Sequence, residues 1–136
     1  MYPEELVSPM RKQLTDQGFS ELKTVEDVEN MIKNSGITLV VVNSVCGCAA
    51  ANARPGAIAS LLNDKKPTHL TTVFAGVDRE AVEKVRYFLA PFPPSSPAIA
   101  LFKDGELIHM LERHHIEGRA AEMISQNLVG AYNEHC

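Results

Sequence analysis

Residues Thr38-Leu39-Val40-Val41-Val42 form an unbroken, mostly β-branched apolar run, and no other feature limits the fold as much. A strand without polar alternation needs cover on both faces, which places it at the centre of a sheet flanked by helices on both sides. The longest apolar stretch, Ile37 to Val42, is of strand length and far short of the ~20 residues that span a bilayer.

The flanking segments supply the helices. Leu6, Met10 and Leu14 recur every four residues with Val7 beside them, predicting a first helix that Gly18 stops, with Phe19 packing back after the glycine. Phe19 to Lys23 reads as a short edge strand. Thr24 and Asp27 make a helix start ahead of the stripe Val28, Met31, Ile32, and Gly36 ends that helix. After the central strand, Ala49 to Leu62 reads as a helix that either kinks at Pro55-Gly56 or restarts with Pro55 in its first turn. It closes on the polar turn Asn63 to Pro67. His69 to Ala75 is a strand, and Asp78 is a candidate cap for a helix carrying Val82, Val85 and Leu89 on one face. Ala98 to Phe102 and Glu106 to Leu111 form a hairpin around Asp104-Gly105. A last helix is expected from about Ile116 to Asn133, with Ala120, Met123, Ile124, Leu128 and Ala131 on one side. The alternating first half gives parallel strands with right-handed crossovers, and the hairpin adds an antiparallel pair. The expectation is an α/β fold: one mixed central sheet, helices on both faces and an extra N-terminal helix. The 136 residues fit a single domain, 1–136, since single cores hold roughly 100–200 residues.

Charge narrows the function. Lys plus Arg is 13 against 17 for Asp plus Glu, a formal net charge of -4, which argues against a nucleic-acid binder that neutralises phosphates. The start, Met1-Tyr2-Pro3-Glu4-Glu5, is acidic and has no apolar stretch after it, unlike a signal peptide. A cytoplasmic protein without a membrane partner is the expectation.

Three cysteines are too few for a disulfide framework. Two of them form Cys46-Gly47-Cys48, just past the end of the apolar strand and at the start of a helix. Open α/β sheets place their reaction sites at that edge. A thiol there meets unpaired N–H groups and the positive end of the helix dipole, both of which favour the thiolate. The thiolate is the nucleophile of disulfide exchange. Residues i and i+2 of a helix do not face each other, so the two sulfurs can pair only where the backbone is not helical, a departure Gly47 permits. The resulting ring is one residue smaller than that of a Cys-x-x-Cys pair, so an internal disulfide should be strained and oxidising, with a potential above the ~-270 mV of thioredoxin. Two other readings of the pair stay open. They are small buried hydrophobes, or half of a tetrahedral metal site completed by His135-Cys136 or His114-His115.

Asn43-Ser44-Val45-Cys46-Gly47-Cys48-Ala49-Ala50 with Arg54-Pro55 resembles the bacilliredoxin family. The likeness extends over almost the whole chain. It takes in Pro9-Met10-Arg11, Leu39 to Val42, Val73-Phe74-Ala75-Gly76, Ser95-Ser96-Pro97, Arg113-His114, Ile116-Glu117-Gly118 and His135-Cys136. The resemblance implies a thioredoxin fold and removal of bacillithiol, a cytosolic low-molecular-weight thiol, from S-bacillithiolated client proteins. Cys46 would attack the mixed disulfide and Cys48 would resolve it, with bacillithiol as thiol co-substrate and no bound cofactor or metal. Some members have also been discussed as disulfide isomerases. Ser96-Pro97 resembles the cis-proline of thioredoxin folds, which would face the Ser96 backbone toward Cys46. Gly47, Ser96 and Pro97 are thus the candidate substrate-binding residues. A homodimer stays open. Unlike classical thioredoxin, the strand before the motif carries Val40 where a buried acid often stands, and the chain has no Trp.

Arg54 is a candidate holder of the carboxylates on the malate portion of bacillithiol, though a solvated or salt-bridged arginine is the commoner case. His114 and His115 are candidate proton carriers, against the commoner surface histidine. Cys136 reads as a frayed terminal thiol, and Met10, Met31 and Met123 as core filler.

Overall fold

The computed structural model describes residues 2–136. The run Ile37–Asn43 forms β2, and all seven of its residues are buried. It pairs in parallel with β3 (His69–Phe74) and antiparallel with β4 (Ala98–Lys103). The two-residue strand β1 (Ser20–Glu21) lies outside β3, and β5 (Glu106–Leu111) lies outside β4, giving the order β1-β3-β2-β4-β5. Successive side chains of β2 point to opposite faces. Ile37, Leu39 and Val41 pack under α1 (Glu4–Thr15), α3 (Arg54–Ser60) and the C-terminal helix, whereas Val40 and Val42 pack under α2 (Val25–Ile32) and α4 (Arg79–Leu89). The mixed sheet with helices on both faces follows as expected.

Local chemistry sets most boundaries. Gly18 takes φ +93 and the Phe19 N–H donates to Leu14 O, so α1 ends as the sequence indicates, with Phe19 buried. Thr24 and Asp27 form a reciprocal capping box on α2. Asp104 (φ 49) and Gly105 (φ 84) make the tight turn between β4 and β5.

Three expectations are corrected, and of the two readings of the helix after the motif the restart with Pro55 in its first turn is the one found. The buried stripe of α1 is Val7, Arg11 and Leu14, while Leu6 is exposed, because Arg11 turns inward to meet carboxylates from other elements. Asp78 does not cap α4 with its side chain, since both of its oxygens accept from Arg11. The helix after the motif is not uniform. Residues Ala49–Ala53 form a wider π-turn that runs into α3, with Pro55 in the first turn of the regular helix. Finally, the last helical region is two helices, α5 (Arg113–Ile116) and α6 (Ala121–His135), because Gly118 at φ +76 breaks the path. Ala120 and Met123 are consequently exposed, while Ile124, Leu128 and Ala131 keep the buried face.

Helix α3 approaches α6 closely at Gly56. A Cβ there would stand 2.7 Å from Ile124 Cγ2 and 3.0 Å from Ala121 O. Overpacking costs about 1–3 kcal/mol, against ~1 kcal/mol gained in helix propensity. Gly56→Ala is expected to lower the urea midpoint, with a net loss of about 1 kcal/mol.

Candidate active site

Strand pairing brings three loops to one edge of the sheet. Val42 lies beside Ala98 and Ile99 beside Leu111. The segment leaving β2, the segment entering β4 and the segment leaving β5 therefore meet there. They carry Cys46-Gly47-Cys48, Ser96-Pro97 and Arg113 respectively. The Ser96–Pro97 peptide bond is cis.

The loop leaving β2 is held by Arg54, which corrects its reading as a solvated or salt-bridged side chain. Arg54 is buried, and its partners are neutral. Nη1 donates to Asn43 Oδ1 (2.8 Å) and Ser44 O (3.0 Å), and Nε donates to Gln13 Oε1. Burial lowers its pKa. Ser44 Oγ in turn accepts from the Cys46 N–H at 2.9 Å. Arg54 shapes the turn that presents the cysteines, with its Nε and Nη1 committed inside the fold.

From Cys46 onward the chain turns helical, with Cys46 O accepting from the N–H groups of Ala49 and Ala50. Cys46 and Cys48 are free thiols. Cys46 Sγ accepts from the Cys48 N–H at 3.4 Å and from Arg113 Nη2 at 3.4 Å. Its pKa falls below the ordinary thiol value, first through a hydrogen bond from the Cys48 thiol, then through the Cys48 N–H and the Arg113 charge. Cys48 moves the other way, because burial disfavours its charge and it gives its hydrogen bond to Cys46. The two sulfurs are thus shifted in opposite directions, Cys46 toward thiolate and Cys48 toward thiol. With the two thiols unpaired, Gly47 lies outside the left-handed backbone region. Its Cα borders open space, so an incoming group meets no side chain there.

Arg113 escaped the residue-by-residue reading. Its Nη1 donates to Ser96 O (3.3 Å) and its Nε to Glu117 Oε2 (3.2 Å), leaving Nη2 for Cys46. The signal that finds it is the hairpin register: Asp104-Gly105 folds β5 back so that its end lies beside the start of β4. Removing this cation should move the pH midpoint of Cys46 alkylation upward. Arg113→Ala is expected to slow iodoacetamide labelling of Cys46 at pH 7 and to leave its rate at pH 10, where Cys46 is ionised with or without the cation, near that of the parent.

The other candidates lie elsewhere. His115 Nδ1 accepts from the Glu112 N–H and completes the cap of α5. His114 is exposed, 4.0 Å from Glu112. Among the described residues, the metal-ligating side chains within mutual reach are Glu112, His114 and His115, a group without Cys46 or Cys48. Cys136 closes α6 near Lys103, at the opposite end of β4 from Ser96-Pro97. The two thiols therefore gain no third or fourth ligand from the histidines or Cys136. Among the described residues no helix is long and apolar enough to cross a membrane.

Residues 2–136 match the family model described as disulphide isomerase. A bacilliredoxin of Cytophaga hutchinsonii is 59% identical over 134 residues, covering 98% of this chain and 99% of its own. The chain belongs to the bacilliredoxin family. A second bacilliredoxin, from Halalkalibacterium halodurans, is 55% identical over 136 residues, covering 99% of this chain and 94% of its own. Oxidised mitochondrial thioredoxin 3 from Saccharomyces cerevisiae superposes with a TM-score of 0.58 at 16% identity, covering 90% of this chain and 98% of its own, so the fold is thioredoxin-like. As a bacilliredoxin-family protein with this fold, the chain is a thiol-disulfide oxidoreductase.

Proposed function

We propose that the protein removes bacillithiol from S-bacillithiolated proteins in the cytoplasm. The observation that carries this reading is the place of Cys46 Sγ in an open cleft, where the Cys48 N–H and Arg113 Nη2 donate to it and lower its pKa, while that of the neighbouring Cys48 is raised. The Cys46 thiolate attacks the bacillithiol sulfur, so that a Cys46–bacillithiol disulfide forms and the client leaves as thiolate. Cys48 then loses its proton to solvent and attacks Cys46 Sγ, releasing bacillithiol thiolate and leaving an internal disulfide for an external dithiol to reduce. Alternatively, free bacillithiol attacks the adduct and leaves as its own disulfide. With buried Val40 in place of an acid, the strand before the motif offers Cys48 no carboxylate base there, which favours the second route. Gly47 leaves room for the incoming disulfide, and Ser96 borders the cleft.

Cys48→Ala exposed to a bacillithiolated protein should gain one bacillithiol mass, mapping to Cys46. An adduct elsewhere, or none while the native protein remains active, overturns the assignment. A second reading, isomerisation of protein disulfides through the same Cys46, draws on the description of the family model. Reactivation of a scrambled disulfide protein without any low-molecular-weight thiol would favour it.

A further inference from the structure

The cleft around Cys46 has an unbalanced charge. It encloses about 390 Å³, and its walls include Ser44, Cys46, Arg86, Ser96 and Arg113. Two arginines line it and no carboxylate does, although the whole chain is acidic. Arg113 shares its Nε with exposed Glu117 but turns Nη2 into the cleft toward Cys46. Arg86, which lines the same cleft from α4, has no ion pair among the described residues. Its Nε is the buried side-chain nitrogen left without a hydrogen-bond partner. Native folds rarely leave a buried donor unpaired, because doing so forfeits the solvation of that group. An uncommitted guanidinium fork beside a nucleophilic sulfur fits a planar carboxylate, which it can grip with two parallel hydrogen bonds.

We infer that Arg86 and Arg113 form an anion seat for the carboxylates of the low-molecular-weight thiol that Cys46 carries as a mixed disulfide. This seat, rather than Arg54, selects the small thiol, and it deepens the reading above because it depends on Cys46 being the attacking and carrying sulfur. The thiolate attacks one sulfur of a disulfide R–S–S–R. The Cys46–S–S–R bond forms, R–S⁻ leaves and takes a proton from solvent, and the carboxylates of the retained R group settle between the two guanidinium groups. The disulfide is the oxidant: the Cys46 lone pair forms the new S–S bond, and the pair of the broken S–S bond leaves with the departing half, which is thereby reduced.

The test uses the full chain with Cys48→Ala and Cys136→Ala, so that Cys46 is the sole thiol. Adduct formation is followed by intact mass spectrometry with two symmetrical disulfides, that of mercaptosuccinate, a dicarboxylate, and hydroxyethyl disulfide, which is neutral. The readout is the ratio of the two rates. That ratio divides out any change in Cys46 reactivity common to both reagents, which matters because Arg113 also touches the sulfur. Arg86→Gln and Arg113→Gln are each expected to lower the ratio about tenfold, the effect of losing one charge-assisted bond. Arg86→Lys, which keeps the charge without the fork, should recover part of it and serves if the Gln variant folds poorly. A ratio within twofold of the parent in both Gln variants overturns the seat while leaving Cys46 chemistry intact. A fall in Arg113→Gln alone overturns the part given to Arg86. If Cys46 reacts with neither disulfide, the attacking role of Cys46 fails and the seat fails with it.

Discussion

Cys46→Ser is expected to abolish disulfide exchange, lowering the rate at neutral pH by at least about 10⁴-fold, in line with removal of other covalent nucleophiles. A serine hydroxyl at the same place meets the same Cys48 N–H and Arg113 Nη2 but stays protonated at that pH and does not attack sulfur. Cys48→Ser should behave differently. It leaves the Arg113 contact to Cys46 in place and still supplies a hydrogen-bond donor in place of the thiol. The first transfer should therefore survive, and the adduct on Cys46 should accumulate until external thiol removes it. Release of low-molecular-weight thiol from a mixed-disulfide protein, with intact mass of both variants, checks the pair. Exchange retained by Cys46→Ser and lost in Cys48→Ser would reverse the assignment.

The second large effect concerns stability. Arg11 is a buried arginine in the first helix, yet its partners come from across the fold. Nε donates to Glu4 at 3.0 Å, Nη1 to Glu21 at 2.8 Å and to Asp78 Oδ2 at 2.9 Å, and Nη2 to Asp78 Oδ1 at 3.0 Å, while the guanidinium stacks over Phe74. The Asp78 hydrogen bonds, before any other cause, raise its pKa. The cluster ties α1 to β1 and to the start of α4, the helix that carries Arg86. Arg11→Met keeps the apolar stem but leaves the nearly buried Asp78 carboxylate without its counter-charge. Removing one partner of a buried pair costs about 3 kcal/mol or more, which for a chain of this size corresponds to a fall in Tm of roughly 10 °C. Thermal unfolding followed by circular dichroism measures it. A shift under 2 °C, about the size of an exposed ion pair, would show that the cluster contributes little.

The same residues explain what could be read in advance. The central place of β2, the hairpin and the two-sided core follow from patterns within single segments, such as the β-branched run at Thr38 to Val42, the Thr24–Asp27 box and the Asp104-Gly105 turn. Each is a local choice whose physics is complete within a few residues. The misreadings involve partners distant in sequence. Nothing near Asp78 indicates that its carboxylate is taken by an arginine 67 residues away. Arg54 looks like any charged residue in a helix, yet Asn43 and Gln13 enclose it. Arg113 reaches Cys46 only because the hairpin folds back. The break at Gly118 was within reach, since glycine inside a helical pattern marks a stop, but the apolar spacing beyond it argued for continuity. Within the candidate site, Cys46-Gly47-Cys48 and Ser96-Pro97 were legible as motifs, whereas the cations around them were not.

Selective labelling distinguishes charge from exposure as the source of Cys46 reactivity. Cys136 is the more exposed thiol, with a pKa raised chiefly by burial of its sulfur, while Cys46 is half-buried with a lowered pKa. The reduced native protein is treated at pH 6.5 with iodoacetamide below one equivalent, then digested and mapped. The account predicts that the label lies on Cys46, with Cys48 and Cys136 largely unmodified. Label on Cys136 equal to or greater than that on Cys46 would show that the sulfur at the end of β2 is an ordinary thiol, and would contradict the account.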